Sequence, residues 1–303
     1  MDKKVNNNIV DNETNKKEFK LLDPKNDVVF QMLFSNNDIT KGLVSNILKE
    51  KVISVKTNVN KQLLGNNTDD KVGIVDLRAI INDNIECEIE MQMLYFKNFI
   101  PRFLHYWSRL YSSQLKEGED YDLLHKTISI AIINQNVPRL KGLPAHTAWK
   151  IREAENYGKI LTDKLELHII EVQKAIEEYK NNKTDELLQW IMFLENPESK
   201  EVNNIMVRNK EIRSAKDELV YLSQDEENQR IAEFRKKELM DKKDIYETGW
   251  DEGREEGKVE GKAELKKEII INLLKMKMPI DKIEEATNTT KEEIEKIKKE
   301  ENL

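Results

Sequence analysis

Cysteine is nearly absent: Cys87 is the single one in 303 residues. That excludes an intrachain disulfide and any zinc site built on cysteines. Histidine is scarce too. His105, His125, His146 and His168 never form a His-x-x-x-His pair, so no zinc-hydrolase motif is present. No run approaches the roughly 18 apolar residues of a membrane span, and no membrane partner is expected. The opening "MDKKVNNNIVDNETNKKEFK" lacks the apolar stretch of a signal peptide, which points to a cytoplasmic protein. A Gly-x-Ser-x-Gly elbow is missing, and with it the commonest serine-hydrolase cue. "GREEGKV" is one residue short of a phosphate-binding loop and carries Val259 where Ser or Thr is required.

Positive charge is outweighed as well, with a formal net charge of −7. A chain that coats nucleic acid through its overall field is therefore not expected, although a local basic groove stays open. What is present is enough length for a sizeable core. Residues 1–20 read as a disordered arm. "DPKNDVVFQMLFS" and "NDITKGLVSNILKE" have helical spacing, the second with Asn37 or Asp38 as N-cap. "KVISVKTNVN" alternates like a strand, and two more strands are predicted over about 73–81 and 85–93. A long amphipathic helix follows over about 97–117, with Phe99, Phe103, Tyr106, Trp107 and Leu110 as its buried stripe. "KTISIAIIN" reads as a strand buried on both faces, and "AHTAWKIREA" and "DKLELHIIEV" as further strands. An α/β core over 21–180 is thus followed by a helical extension over 181–240. A charged, glycine-spaced connector or helix covers 241–268, and a small helical module covers 269–303.

The segment "GIVDLRAIINDNIECEIEMQ" carries the chemistry. Alternate residues of a strand face opposite ways, so Glu86, Glu88, Glu90 and Gln92 share one face, and Cys87, Ile89 and Met91 the other. If Asn82–Asp83–Asn84 form a three-residue hairpin loop, pairing is symmetric about Asp83. Asp76 then lies opposite Glu90, Arg78 opposite Glu88, and Ile80 opposite Glu86. Directly opposed residues have Cβ atoms roughly 4.5–5.5 Å apart. A loop one residue longer or shorter would send Asp76 and Glu90 to different faces. Arg78 can neutralise Glu88, which makes Glu88 structural. Two carboxylates at that spacing suit a hard divalent cation such as Mg²⁺, which prefers oxygen ligands. A solvent-facing charged hairpin, partnered by lysines elsewhere, accounts for the same spacing.

The order Asp, turn, then Glu-x-Gln in "IEMQ" resembles the PD-(D/E)XK nuclease superfamily, and most closely its Rpn branch of recombination-promoting nucleases and transposases. "NDVVFQMLFSNND" is similar to that branch's opening helix. "RFLHYWSRLYSSQLKEGEDYDLLHKTISIAIIN" is similar to its long helix, Gly-x-x-Tyr turn and buried strand. "LELHIIEVQK" and the glycine-spaced "EGREEGKVEG" tail also match. The resemblance spans about residues 20–300. It implies a restriction-endonuclease-like mixed sheet flanked by helices, followed by an all-helical C-terminal region. It implies a metal-dependent endonuclease hydrolysing phosphodiester bonds in DNA, linked to recombination or mobile elements. Asp76 and Glu90 would hold Mg²⁺, with Mn²⁺ as a substitute. Gln92 stands where the superfamily has lysine, as is common in the Rpn branch; glutamine can orient a water but brings no positive charge. Val75 stands where the motif's proline would be.

Further candidates have two readings each. Asp27 is either a further metal-binding acid or a helix N-terminal acid favoured by the dipole. Arg102, His105 and Arg109, at i, i+3 and i+7, are either DNA-phosphate contacts or a solvated helix face. Gln114 lies farther along the same helix. Gly249, Gly253, Gly257 and Gly261 mark either a pliable charged connector or a close helix–helix contact, which would make a homo-oligomer. The last two helices outline a helix-turn-helix. From Asp281 to Leu303, however, eight acidic residues face five basic ones, which disfavours docking on phosphates. Two rivals to the nuclease stand: an inactive nuclease-fold module that binds DNA or protein, and an interaction protein whose charged tail is its purpose.

Overall fold

The computed structural model describes residues 20–58 and 77–303. They divide into two compact units, at Lys237 and Glu238.

The first unit begins with α1 (Asp27–Phe34), capped by Asn26, whose side chain accepts from the Val28 and Val29 amides. α2 (Asn37–Leu48) is capped by Asn36, not by Asn37 or Asp38. Asn36 has the extended backbone an N-cap needs, and Asn37 instead accepts from the Thr57 amide at 3.0 Å. The strands are β1 (Val55–Asn58), β2 (Leu77–Ile81) and β3 (Ile85–Gln92). α3 (Phe99–Ser112) then leads to β4 (Thr127–Ile133), β5 (His146–Trp149) and β6 (Leu165–Glu171). α3 is shorter than its amphipathic pattern predicts. The chain leaves it for a turn in which Gly118 takes the left-handed φ of 87° and Glu119 accepts from the Lys116 amide.

The six strands form one mixed sheet in the order β1-β2-β3-β4-β6-β5. β3, β4 and β6 run parallel; the other pairs are antiparallel. The β3–α3–β4 crossover supplies the connection that parallel neighbours require. All seven residues of β4 are buried, as expected of a central strand covered on both faces. β5 is much shorter than its predicted run and is followed only by an isolated bridge between Arg152 and Ile160.

One face of the sheet presents Leu77, Ala79, Cys87, Ile89, Ile128, Ile130 and Ile132 to a core built on α1, α2, α5 (Glu186–Glu195) and α7 (Lys210–Ser223). Phe30, Phe34, Trp190 and Phe193 are its large members, and each such fully buried side chain contributes about 1.5–3 kcal/mol. On the other face Phe99 and Phe103 of α3 stack at 5.6 Å over Ala131, Ile133, Leu167 and Ile169. Tyr106 and Trp107 of the predicted stripe are half-buried; the Trp107 indole N–H donates to the Thr127 carbonyl at 3.0 Å. α4 (Val172–Tyr179) and α6 (Lys200–Arg208) complete the helical layer.

α8 runs Glu226–Lys275 and continues from the first unit into the second. Its glycine ladder lies inside continuous helix, and nothing stands within 4 Å of a Cβ placed at any of the four glycines. The second unit ends with α9 (Ile280–Thr287) and α10 (Lys291–Glu300), whose Ile283 and Ile294 pack with Ile270 in a small core. Among the described residues no helix is long and apolar enough to cross a membrane.

Candidate active site

The β2–β3 hairpin sets the site. Leu77 pairs with Ile89, Arg78 with Glu88, Ala79 with Cys87, Ile80 with Glu86 and Ile81 with Ile85. This is the register expected of a loop centred on Asp83. Asn82 and Asp83 take left-handed φ values of 50° and 65°, which Asn and Asp tolerate better than other non-glycine residues. The Asn82 side chain also accepts from the Ile53 and Ser54 amides, anchoring the turn to the segment before β1. Because Cys87, Ile89 and Met91 are drawn into the core, Glu86, Glu88, Glu90 and Gln92 are turned to the α3 side. Glu88 and Glu90 are only 5% and 4% exposed there. Asp76 lies outside the described residues.

α3 carries one cation onto this row. Arg102 donates through Nη2 to Glu90 Oε1 at 3.1 Å and to Gln92 Oε1 at 2.6 Å. The Gln92 amide is oriented from its other end, since Nε2 donates to the Leu94 carbonyl at 2.8 Å. The guanidinium also lies 5.9 Å over the Phe96 ring, a cation–π distance. Its Nε is buried without a hydrogen-bond partner. A second orphan sits on the same face: the Ser129 hydroxyl, buried and without a partner, on the residue paired with Glu88. Both are without a hydrogen-bond partner among the described residues.

The other candidates from the sequence are placed differently. His105 and Arg109 are exposed on α3, so of the three-residue basic series only Arg102 meets the carboxylate row. Asp27 has a partner of its own: its Oδ2 lies 2.7 Å from Arg235 Nη2, and its Oδ1 accepts from the Val28 amide. Gln114 braces the turn before β4, donating to Thr127 Oγ1 at 2.7 Å and accepting from the His125 amide at 2.7 Å.

A polar cluster that the sequence reading missed lies on the opposite face. Glu166 is bound by Lys126, Lys150 and His168 at 2.5, 3.1 and 3.2 Å. His168 Nδ1 in turn meets His146 Nε2 at 2.9 Å. Burial, the largest influence on Glu166, pushes its pKa up. The hydrogen bonds from His168, Lys126 and Lys150 outweigh it and hold the carboxyl far below its usual range. Burial, then the neighbouring His168 and Lys49, lowers His146 to about 4, with Asp185 opposing. The only early signal was the strand alternation that sends Glu166 and His168 to one face. Burial, reinforced by Glu88 and Glu86, pushes the Cys87 thiol far up, so it is an inert core residue.

The donors on the α3 side are oxygens only, the kind a hard divalent ion selects. A positive group already rests on Glu90 and Gln92. The residues thus fit such an ion in kind, while no group of three or more His, Cys, Asp or Glu that could hold a metal occurs among the described residues. No curated protein and no solved structure matches the chain. A family model described as PD-(D/E)XK nuclease family transposase matches residues 24–249, a span that takes in the whole sheet and α3. The chain belongs to that family, the PD-(D/E)XK nuclease family transposases.

Proposed function

We propose that the protein is a divalent-metal-dependent DNA endonuclease acting in recombination or mobile-element movement, with Asp76, Glu90 and Gln92 as its site residues. The single observation that carries this reading is the Arg102 bridge, in which a carboxylate almost removed from water shares one cation with an amide two residues on. A charged strand face serving only solubility has no reason to be roofed by a helix.

Asp76 and Glu90 would hold Mg²⁺, or Mn²⁺ in its place, through their carboxylate oxygens. A divalent ion held there polarises the scissile phosphate and lowers the pKa of an attacking water. Gln92, with its NH₂ group committed to Leu94 and one lone pair of Oε1 facing Arg102, would aim that water by accepting a hydrogen bond from it. Beside Glu90, its pairing partner Ala131 packs in one apolar cluster with Phe99 and Phe103 of α3. The exposed His105 and Arg109 meet the phosphate backbone of the incoming DNA.

Nicking of supercoiled plasmid by the purified protein tests the reading, with Mg²⁺, Mn²⁺ or EDTA. Metal-dependent nicking is expected, and loss of it in Asp76→Ala and Glu90→Ala with folding intact. Equal activity in all three proteins would place the chemistry elsewhere. Inert wild type across metals and DNA forms would favour a binding module.

A further inference from the structure

Arg102 has a geometry that DNA contact alone does not explain. A residue kept for phosphate would extend its guanidinium to the surface, as His105 and Arg109 do with their side chains. Arg102 folds inward instead, with its side chain 28% exposed and its Nη2 shared between Glu90 and Gln92. Among the described residues its Nε has no hydrogen-bond partner. Arginine paired with one oxygen of a carboxylate and one of an amide gives up the bidentate fork that makes such pairs strong. The guanidinium is thus held by charge more than by fit.

From this we infer that Arg102 is a resident counter-cation, which keeps Glu90 and Gln92 in their working positions until a divalent ion displaces it. The inference rests on the metal site proposed above. Glu90 Oε1 and Gln92 Oε1 lie within hydrogen-bond reach of one nitrogen, so they converge on a single point. A divalent ion ligated by Glu90 and the guanidinium carry like charge and would compete for the same oxygens. Glu88 and Glu90 lie two residues apart on one buried strand face, and Arg102 brings positive charge to it. Arg102 is accordingly a positioning residue, one that lowers the affinity of the site for metal in exchange for keeping it assembled.

Mn²⁺ binding measured by calorimetry, together with melting temperature with and without Mn²⁺, tests this. Arg102→Met keeps the apolar stem and removes the charge. It should bind Mn²⁺ at least tenfold more tightly than wild type and melt lower without metal. Its melting temperature should rise further on adding Mn²⁺ than that of wild type. Arg102→Lys keeps a cation and should bind Mn²⁺ as wild type does. In a Glu90→Gln background the Arg102→Met gain should vanish. A damaged site would lose metal affinity, so a gain cannot come from misfolding. Equal or weaker Mn²⁺ binding in Arg102→Met, beside a wild type that binds Mn²⁺ and nicks DNA, would overturn the inference and leave the nuclease reading standing. Persistence of the gain without Glu90 would overturn it as well. Absence of Mn²⁺ binding in every variant would sink both.

Discussion

Glu90 and Glu166 sit on two strands of the same sheet, on opposite faces, and both are almost out of water at 4% and 7% exposed. They are held in different ways. Glu166 is surrounded by two lysines and a histidine, and those contacts pull its pKa far down against the effect of burial. Glu90 is bridged by an arginine to an amide on its own strand. A carboxylate surrounded by several committed donors is part of the scaffold. A carboxylate that shares its arginine with a neighbouring amide is the one the proposed function would assign to metal binding. On the function proposed above, the difference would separate a buried charge that stabilises from one that takes part in the chemistry, where burial alone would not.

Paired substitutions sharpen the contrast, with Glu90→Gln giving the largest effect expected. It should lower metal-dependent nicking by roughly 100-fold or more, the scale of losing metal-site contacts, with a small change in melting temperature. Glu166→Gln should do the reverse. It should destabilise the fold by about 2–3 kcal/mol, discounted from a fully buried pair because its lysines reach solvent, and leave the metal dependence of nicking unchanged. Chemical denaturation and the plasmid assay measure the two sides. If Glu166→Gln stayed folded yet lost nicking, the division between scaffold and site would break.

The histidine chain gives a smaller, pH-dependent effect. His146 titrates near 6.5 when unfolded and is lowered to about 4 in the fold. Between those values the unfolded chain binds the extra proton, so stability rises with pH across that window and is lost on acidification. The lowered Glu166 contributes stability above the ordinary carboxylate value of 4.5, which is lost only below it. In the interval from pH 6.5 to 4.5 Glu211, raised above the ordinary carboxylate value by burial and Glu186, opposes His146, so the difference between wild type and His146→Gln reads His146. Its share should be about 2 kcal/mol after allowing for partial exposure. Unfolding free energies of His146→Gln should be flatter than wild type over that interval, and an unchanged slope would remove the effect from His146. The smallest change is expected of Gln114→Ala, about 1 kcal/mol from the hydrogen bonds that brace the turn before β4. Its nicking should keep the wild-type metal dependence, since it touches neither carboxylate.

Much of the fold was legible because it depends on near neighbours. The helices α1 and α2 were read from their spacing, and their caps Asn26 and Asn36 are short polar side chains that reach amides two or three residues on. The reading slipped by one residue at Asn36 because three adjacent positions, Asn36, Asn37 and Asp38, can all cap, and a contact from Asn37 to β1 decides among them. Four glycines at steps of four left a charged connector or a helix open, and α8 runs through them. Propensity is a weak prior, and the charged residues between them are good helix formers.

Given a three-residue loop, the sequence by itself set the β2–β3 register. A three-residue loop and strict alternation leave one pairing that buries Cys87, Ile89 and Met91, and that pairing turns the glutamates together. It also indicated an α/β core of strands, a long helix and further strands, while the mixed sheet followed only from the family resemblance. Only the tertiary structure decided which cation meets Glu90 and how His146 finds His168. Those partners lie 12 and 22 residues apart. Their meeting depends on the rotation of α3 about its axis and on β5 docking at the sheet's edge. Both are set by the packing of apolar side chains such as Phe99 and Phe103, far from the polar atoms that the packing brings together.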